Sequence, residues 1–597
     1  MGRPFLLSAA MTDLDWTDAG PRSTRFGDVY FSAQDGLAES RSVFLEGCGL
    51  PEAWAGRAQF TVGELGFGTG LNIAALLELW RRTRPPGGRL NIFSIEAYPI
   101  RREEAARALS PWPELAAVTA PMLARWPGRT PGFHRLELPQ LDVVIDLAVA
   151  EAGAALADWS GRADAWFLDG FSPAVNPKMW RDEVLALVAA RSNPGARAST
   201  FTVAGAVRRG LAATGFQVEK RPGFGRKRER LEARLGGTAG DPARPASVGV
   251  IGAGIAGAAL ARALREVGLS PVLFEAQEPG AGASGNAAAL VTPRLDAGGG
   301  AVARLSAQAF RRAAALYGDT APEAVLARGV LQLEGQARDA SRFDRIALQD
   351  LWDAGAMARL DAAAAGERLG EPCAVGGLWM GDALVVEPMG VLAAWLADSP
   401  VRVAAVARIA PSDGGWRLFG RAGEVLAEVE VLVLAGGAGV AALASEARLA
   451  PVRGQATTAR GASTAPAAWG GYALPTREGL LFGATHDRGD EGAEVRTEDS
   501  ARNLETLGRV RPVLAAALAG GALEGRAGVR AVTPDRLPLC GALAPGLFVL
   551  GGLGSRGFSF APLLAEHLAA EIAGAPSPLP RGLATLVEPR RSSILAI

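Results

Sequence analysis

At 597 residues the chain is longer than one hydrophobic core supports, so at least two domains are expected. A hydrophobic content of 49%, with 76 glycines and 21% charged residues, excludes a mainly disordered chain and fits Gly-rich α/β domains. The formal net charge is zero, which excludes nucleic-acid binding through overall charge and leaves only a local basic patch for that purpose.

The opening "MGRPFLLSAAMTDLDW" has an apolar run too short for a secretory signal and reads as a mature terminus, with Met1 or Met11 as the start. Apolar runs "FTVGEL", "LNIFSIEA", "LDVVIDLAV" and "DAWFLDG" then alternate with helical stretches such as "RDEVLALVAARS". This is the rhythm of a doubly wound, Rossmann-like sheet over residues 1–236. In "VGELGFGTGLN" a strand meets a helix through Gly66, Gly68 and Gly70, where backbone can approach a ligand that a Cβ would block. Glu64 precedes this loop, Asn72 follows it, and Glu96 ends the next strand, where a carboxylate can bind a ribose diol. The loop lacks the Lys-Ser/Thr of a triphosphate site, so S-adenosylmethionine fits best. A glycine turn that merely packs a helix on a sheet is the structural alternative.

Glu151 in "LAVAEA" is assigned to the adenine side of that cofactor, with a solvated helix residue as the alternative. "DAWFLDGFSPAVNPKMW" delivers Asp169 to the carboxyl edge of the sheet, where ligands of open α/β folds bind. A carboxylate there can take the proton that an ammonium must lose before its nitrogen is methylated, although Asp before Gly also caps turns. "EKRPGFGRKRER" offers Lys220, Arg221, Arg226, Lys227 and Arg228 to phosphates and Phe224 to a base; a solvated charged face is equally compatible.

"GGTAGDPARPAS" has no apolar period and marks a linker at residues 237–246. The second domain, 247–597, opens on "VGVIGAGIAGAAL", where Gly252, Gly254 and Gly257 join a strand to an amphipathic helix and Glu275 closes the next strand. This is a full dinucleotide fingerprint: tight turn, pyrophosphate at a helix N-terminus, acid on a ribose. Ser284 and Asn286 in "GAGASGNAAAL", and Gly554, Ser555, Arg556 and Gly557 in the last strand–loop–helix, favour FAD over NAD. "LVLAGGA", with Gly436 and Gly437, fits the strand that returns to the dinucleotide. The runs "VLQLEG", "GWRLFG", "VLVLAGG" and "GLLFGATH" suggest an inserted antiparallel sheet. Arg530 and Arg536 in "VRAVTPDRLPLCG" are candidates to anchor a carboxylate beneath the flavin, with an ion pair to Asp535 as the structural alternative for Arg530.

Three dispersed cysteines without a CxxC pair or a His cluster argue against a disulfide framework and against a metal site, so no metal is expected. No charge-free apolar stretch of roughly 18 residues occurs, so no membrane span is expected and the cytoplasm is the default compartment.

In the same order, "FGDVYFS", "VFLEG", "GELGFGTGLN", "DAWFLDGFSPAVNPKMW" and "GFGRKRE" resemble the methyltransferase half of the bifunctional tRNA-modifying family that makes 5-methylaminomethyl-2-thiouridine. "GASGN", "PVRGQ", "VRAVTPDRLPLCG" and "GSRGFSFAPL" resemble its FAD-dependent half, a relative of glycine and D-amino-acid oxidases. The resemblance implies tRNA as substrate and two reactions on one wobble uridine. The flavin domain removes a carboxymethyl group as glyoxylate, and the other domain methylates the amine left behind. It also implies an Asp near the adenine, where this chain has Glu151. A methyltransferase fused to an oxidase of free amino acids, and a non-catalytic RNA-binding scaffold, are the competing readings. No obligate protein partner is inferred.

Overall fold

The computed structural model describes residues 14–17, 20–31, 35–225 and 228–591. The chain divides into two compact units between Pro242 and Ala243.

In the first unit eight strands form one sheet: β1 (Gln59–Leu65), β2 (Arg89–Ile95), β3 (Gly132–Leu138), β4 (Val143–Val149), β5 (Ala163–Leu168), β6 (Ser192–Thr200), β7 (Gln217–Pro222) and β8 (Glu229–Arg234). Their spatial order is β3-β4-β2-β1-β5-β6-β8-β7, with β4, β2, β1, β5 and β6 parallel. Every residue of β1 and β5 is buried, because helices cover both faces of a parallel sheet and leave no polar side. Alternate residues of β5 therefore enter different cores: Phe167 packs with Phe44, while Trp166 packs edge-on to Trp159, which stacks on Phe93 at 4.3 Å. Helix α1 (Leu71–Thr83) follows β1 and buries Leu76, Leu77 and Trp80 against the sheet. The order places β1 at the point where the chain winds outward in both directions, the usual place for a ligand. Asp241, near the end of this unit, accepts Arg57 Nε at 2.8 Å and Ala58 N at 2.8 Å.

The second unit carries a six-stranded sheet of β9 (Val248–Ile251), β10 (Pro271–Glu275), β11 (Val401–Val403), β12 (Val431–Leu434), β13 (Leu539–Ala544) and β14 (Leu547–Gly551). Its order is β11-β10-β9-β12-β14-β13, parallel except for the β13–β14 hairpin. Helices α2 (Ile255–Glu266) and α3 (Gly557–Ala573) bury Leu260, Leu264, Leu564 and Leu568 in one core. A ten-stranded sheet includes the long antiparallel pair Ala450–Arg460 and Leu523–Val532.

The four runs expected to share one inserted sheet divide among three. Val325–Leu333 and Gly479–Gly483 belong to the ten-stranded sheet, whereas Gly415–Phe419 is the centre of a separate three-stranded sheet. "VLVL" is β12, parallel to β9 and β14. A four-residue apolar run specifies a strand but not its neighbours, and burial of Leu432, Val433 and Leu434 is what a central parallel strand requires.

Candidate active sites

The carboxyl edge of β1 opens into a cavity of about 1270 Å³. The loop from β1 to α1 turns through Gly66, Gly68 and Gly70 at φ of 88°, 52° and 79°, which L side chains rarely adopt. A Cβ on Gly66 would lie 3.0 Å from Gly170 Cα, and one on Gly68 3.0 Å from the Tyr30 ring. Gly66, Gly68, Asn72, Glu96, Glu151 and Asp169 all line the cavity. Gly70 instead faces Met122 and Trp126 and serves the turn into α1.

Glu96 follows β2, and its carboxylate accepts the N–H groups of Gly68 at 3.0 Å and Tyr98 at 2.9 Å. Burial raises its pKa against those two bonds. Asp169 leaves β5 on the other side of β1, and Asn72 Nδ2 donates to its Oδ2 at 2.7 Å. Glu64 lies beneath the cavity rather than on its wall, 0% exposed, with Ser94 Oγ donating to its Oε2 at 2.5 Å. Its Oε1 is buried without a hydrogen-bond partner among the described residues. Burial first, and then the charge of Asp169, pushes the Glu64 carboxyl up to about 8 despite the Ser94 bond, so it is neutral at pH 7. Glu151 precedes the helix Ala152–Asp158 and sits at the rim, 3.8 Å from Lys178 Nζ.

Three loops bring aromatic rings to this cavity. Phe26 lies 4.9 Å and Tyr30 5.2 Å from Phe171, Phe26 is 6.0 Å from Tyr98, and the Arg25 guanidinium lies 4.0 Å over Tyr98. These rings come from loops far apart in sequence, which the linear pattern does not reveal.

The basic run forms the β7–β8 hairpin. Lys220 pairs with Glu229 at 2.7 Å, Arg221 with Glu219 at 2.7 Å and Arg230 with Glu232 at 2.7 Å, so cross-strand and neighbouring acids offset much of its charge. Arg228 is exposed, and Arg226 and Lys227 lie outside the described residues. Phe224 lines the cavity and packs against the core beside it.

In the second unit a cavity of about 960 Å³ runs along β9 and the N-terminus of α2. Gly252, Gly254, Glu275, Ser284, Asn286, Gly436, Gly437, Arg530, Gly554, Ser555, Arg556 and Gly557 line it. Gly252 turns at φ 105°, where a Cβ would lie 2.7 Å from Ala435 O. Gly257 is off the wall: its Cβ would lie 1.9 Å from Gly252 O, so it permits close packing of helix on strand. Glu275 accepts Ala253 N at 2.8 Å, and Ser284 Oγ accepts Ile255 N at 3.1 Å, fixing the fingerprint loop. The open first turn of α2 and the clear space beside Gly437 fit a dinucleotide's pyrophosphate.

Arg530 lies over Gly454 with Nη1 3.5 Å from His486 Nδ1, both facing this cavity. Burial and the cations Arg530, Arg488 and Arg536 hold the His486 imidazole below its usual pKa. Asp535 pairs with Arg591 at 2.7 Å, not with Arg530. Arg536 stands in a turn at φ 60° and is not among the cavity's lining residues. Arg556 donates to Pro293 O at 3.0 Å; burial and the cations Arg294 and Arg342 lower it to about 10, so it stays charged at pH 7. Arg526, two strand positions before Gly528, donates to the carbonyls of Gly280, Ala281 and Gly282 at 3.0, 3.1 and 2.8 Å and to Asn286 Oδ1 at 3.2 Å. Sequence offered no signal for Arg526 or His486 beyond their lying among glycines.

The family described as FAD dependent oxidoreductase matches residues 247–571, and the S-adenosyl-L-methionine-dependent methyltransferase family matches residues 113–236. A protein of a Caulobacter species is 61% identical, with 97% of each chain covered. One from Caulobacter vibrioides is 59% identical over 97% of each chain. One from Maricaulis maris is 44% identical over 94% of this chain and 93% of its own. All three bear the name tRNA 5-methylaminomethyl-2-thiouridine biosynthesis bifunctional protein MnmC.

Proposed function

The chain belongs to the MnmC family of bifunctional tRNA 5-methylaminomethyl-2-thiouridine biosynthesis proteins, and on that footing we propose how its two cavities divide the work. It is a bifunctional enzyme, an FAD-dependent oxidoreductase joined to an S-adenosylmethionine-dependent methyltransferase. The observation that carries the assignment is the pairing of one cavity holding a cation, Arg530, with another holding a carboxylate, Asp169, each behind its own glycine loop.

In the second unit the substrate is 5-carboxymethylaminomethyl-(2-thio)uridine of tRNA. Oxidation of the N–CH2 carbon of the carboxymethyl group needs a two-electron acceptor, which FAD would supply when bound. Gly252, Gly254, Glu275, Ser284, Asn286, Gly436, Gly437 and the 554–557 loop are the residues we assign to holding it. Arg530 anchors the carboxylate, and its planar fork sets which carbon faces the reacting edge. Water adds to the oxidised C=N carbon, glyoxylate leaves, and a primary amine remains. Arg536 is the weaker candidate, since it does not line the cavity.

In the first unit S-adenosylmethionine supplies the methyl group. Gly66, Gly68 and Glu96 form its cradle, with Glu96 oriented by two backbone N–H groups toward a ribose diol and Glu151 at the rim. Asp169 accepts the proton of the aminomethyl ammonium so that the nitrogen lone pair can attack. Asn72, assigned from sequence to the cofactor, donates to Asp169 and holds that carboxylate in place. Glu64, likewise assigned to the cofactor, acts from below as a neutral acid next to Asp169. Lys220, Arg221, Phe224, Arg226, Lys227 and Arg228 remain our RNA-contact set; Phe224 reaches the cavity itself, and Arg228 is the clearest exposed charge among those described.

Among the described residues no helix is long and apolar enough to cross a membrane, and no group of three or more His, Cys, Asp or Glu is arranged to hold a metal. We place the protein in the cytoplasm, with tRNA, in keeping with its unpaired thiols Cys48, Cys373 and Cys540.

The test is nucleoside analysis of tRNA bearing the carboxymethylaminomethyl base after incubation with purified protein. Without S-adenosylmethionine the aminomethyl base should accumulate, and adding it should give the methylaminomethyl base. Hydrogen peroxide from free glycine or sarcosine, with the tRNA unchanged, would favour the amino-acid oxidase reading instead.

A further inference from the structure

We propose that the ring cluster of Phe26, Tyr30 and Phe171 is the receptor for a single unstacked pyrimidine base, held so that its 5-substituent reaches Asp169. The proposal rests on the methyltransferase reading and names the part of the substrate that this wall takes.

The cavity is divided by β1. Glu96 and Glu151 follow β2 and β4 on one side of it, whereas Asp169 and Phe171 follow β5 on the other. A single residue, Gly170, separates the carboxylate from the ring, so whatever lies against Phe171 lies beside Asp169. The backbone that carries the ring is fixed in place: Phe171 O accepts Trp180 Nε1 at 3.0 Å, and Ser172 N donates to Asp28 Oδ2 at 3.2 Å. That second bond ties the Phe171 loop to the segment carrying Phe26 and Tyr30. The Phe26 and Phe171 rings meet at 4.9 Å with 34° between their planes, and Tyr30 meets Phe171 edge-on at 73°. All three rings are only half-buried, and all line the cavity.

Aromatic rings that serve a core are sealed inside it, as Phe167 and Trp166 are on the adjacent strand. Rings carried on a loop pinned by hydrogen bonds, yet left half-exposed beside a carboxylate, instead offer π-faces to a planar ligand. A nucleobase taken out of its stack is recovered by such faces at about 1–3 kcal/mol per base. Arg25, held over Tyr98 at the mouth, adds a cation where the adjoining phosphodiester would pass.

The experiment uses the full-length protein and tRNA bearing 5-aminomethyl-2-thiouridine, with Phe171→Ala, Phe171→Tyr and Phe26→Ala. Both alanine variants should lose roughly ten- to a hundredfold in methylation kcat/KM for tRNA. The Phe171→Ala dissociation constant for S-adenosylmethionine should stay within about twofold of wild type, because Phe171 follows β5, on the other side of β1 from Glu96 and Glu151. Phe171→Tyr, which keeps the ring, should retain most activity, and the oxidation of carboxymethylaminomethyl tRNA should be unaltered in all three. Unchanged methylation in Phe171→Ala, an equal loss of cofactor affinity, or a Phe171→Tyr variant as impaired as Phe171→Ala would each overturn the proposal. A wild-type protein that left this tRNA unmethylated would overturn the function reading as well, whereas an active wild type with any of those variant results would overturn only the base receptor.

Discussion

Replacing Glu64 by Gln should make the first unit more stable above about pH 4.5, by an amount that grows toward pH 8. The Glu64 carboxyl is fully buried, carries one oxygen with no hydrogen-bond partner among the described residues, and titrates near 8 instead of near 4.5. Between those two values the folded chain keeps a proton that the unfolded chain has released. Stability from this group is therefore present in full below about pH 4.5 and falls as pH rises toward 8. At about 1.4 kcal/mol per pH unit, the loss between pH 5 and pH 7 is about 3 kcal/mol. Glutamine matches the shape of the neutral acid and does not titrate, so Glu64→Gln should lack this slope. Because a chain of two units does not unfold in a single step, the measurement should be local: amide hydrogen exchange in β1, without S-adenosylmethionine, converted to opening free energies across pH 5–7. The gap between variant and wild type should widen by about 3 kcal/mol over that range. Parallel profiles would mean that Glu64 is ionised when folded and that the reasoning from its burial is wrong.

Asp169→Asn, which keeps the contact volume but cannot take a proton, should slow methylation by about a hundredfold or more, with tRNA oxidation intact and the aminomethyl base accumulating in nucleoside analysis. Arg530→Ala should cost the oxidation step about 3 kcal/mol, roughly a hundredfold in kcat/KM, leaving the carboxymethylaminomethyl base; Arg530→Lys should recover part of it, and equal rates in all three would remove Arg530 from the site. Gly252→Ala places a Cβ 2.7 Å from a backbone carbonyl at a φ of 105°, so the purified variant should lose its flavin absorbance; a yellow variant with normal flavin content would refute that.

Both glycine loops were readable because strand, turn and helix are contiguous there, and the spacing of Gly66 and Gly68, or of Gly252, Gly254 and Gly257, follows from backbone sterics alone. Strand identity was readable for the same local reason, but strand neighbours were not: "GWRLFG" and "VLVLAGG" look alike and end in different sheets. Charge was misleading where pairing is tertiary. The run from Lys220 to Arg230 reads as a basic patch until the hairpin sets Glu229 beside Lys220 and Glu232 beside Arg221. The ring cluster around Phe171 was invisible because Phe26, Tyr98 and Phe171 come from three loops, each with an unremarkable aromatic. In the sequence Glu64 stands out only as the residue ahead of a glycine loop, and packing alone reveals that it is sealed beneath the cavity.

The grip of Arg526 on three successive carbonyls of the 280–282 loop uses protein groups alone. The conformational entropy of that loop is thus surrendered when the chain folds and need not be deducted from cofactor affinity. Flavin capture becomes closer to entry into a finished mould than to coupled ordering, and its heat-capacity signature should be that of the surface covered by the ligand, with no added contribution from a loop that folds around it.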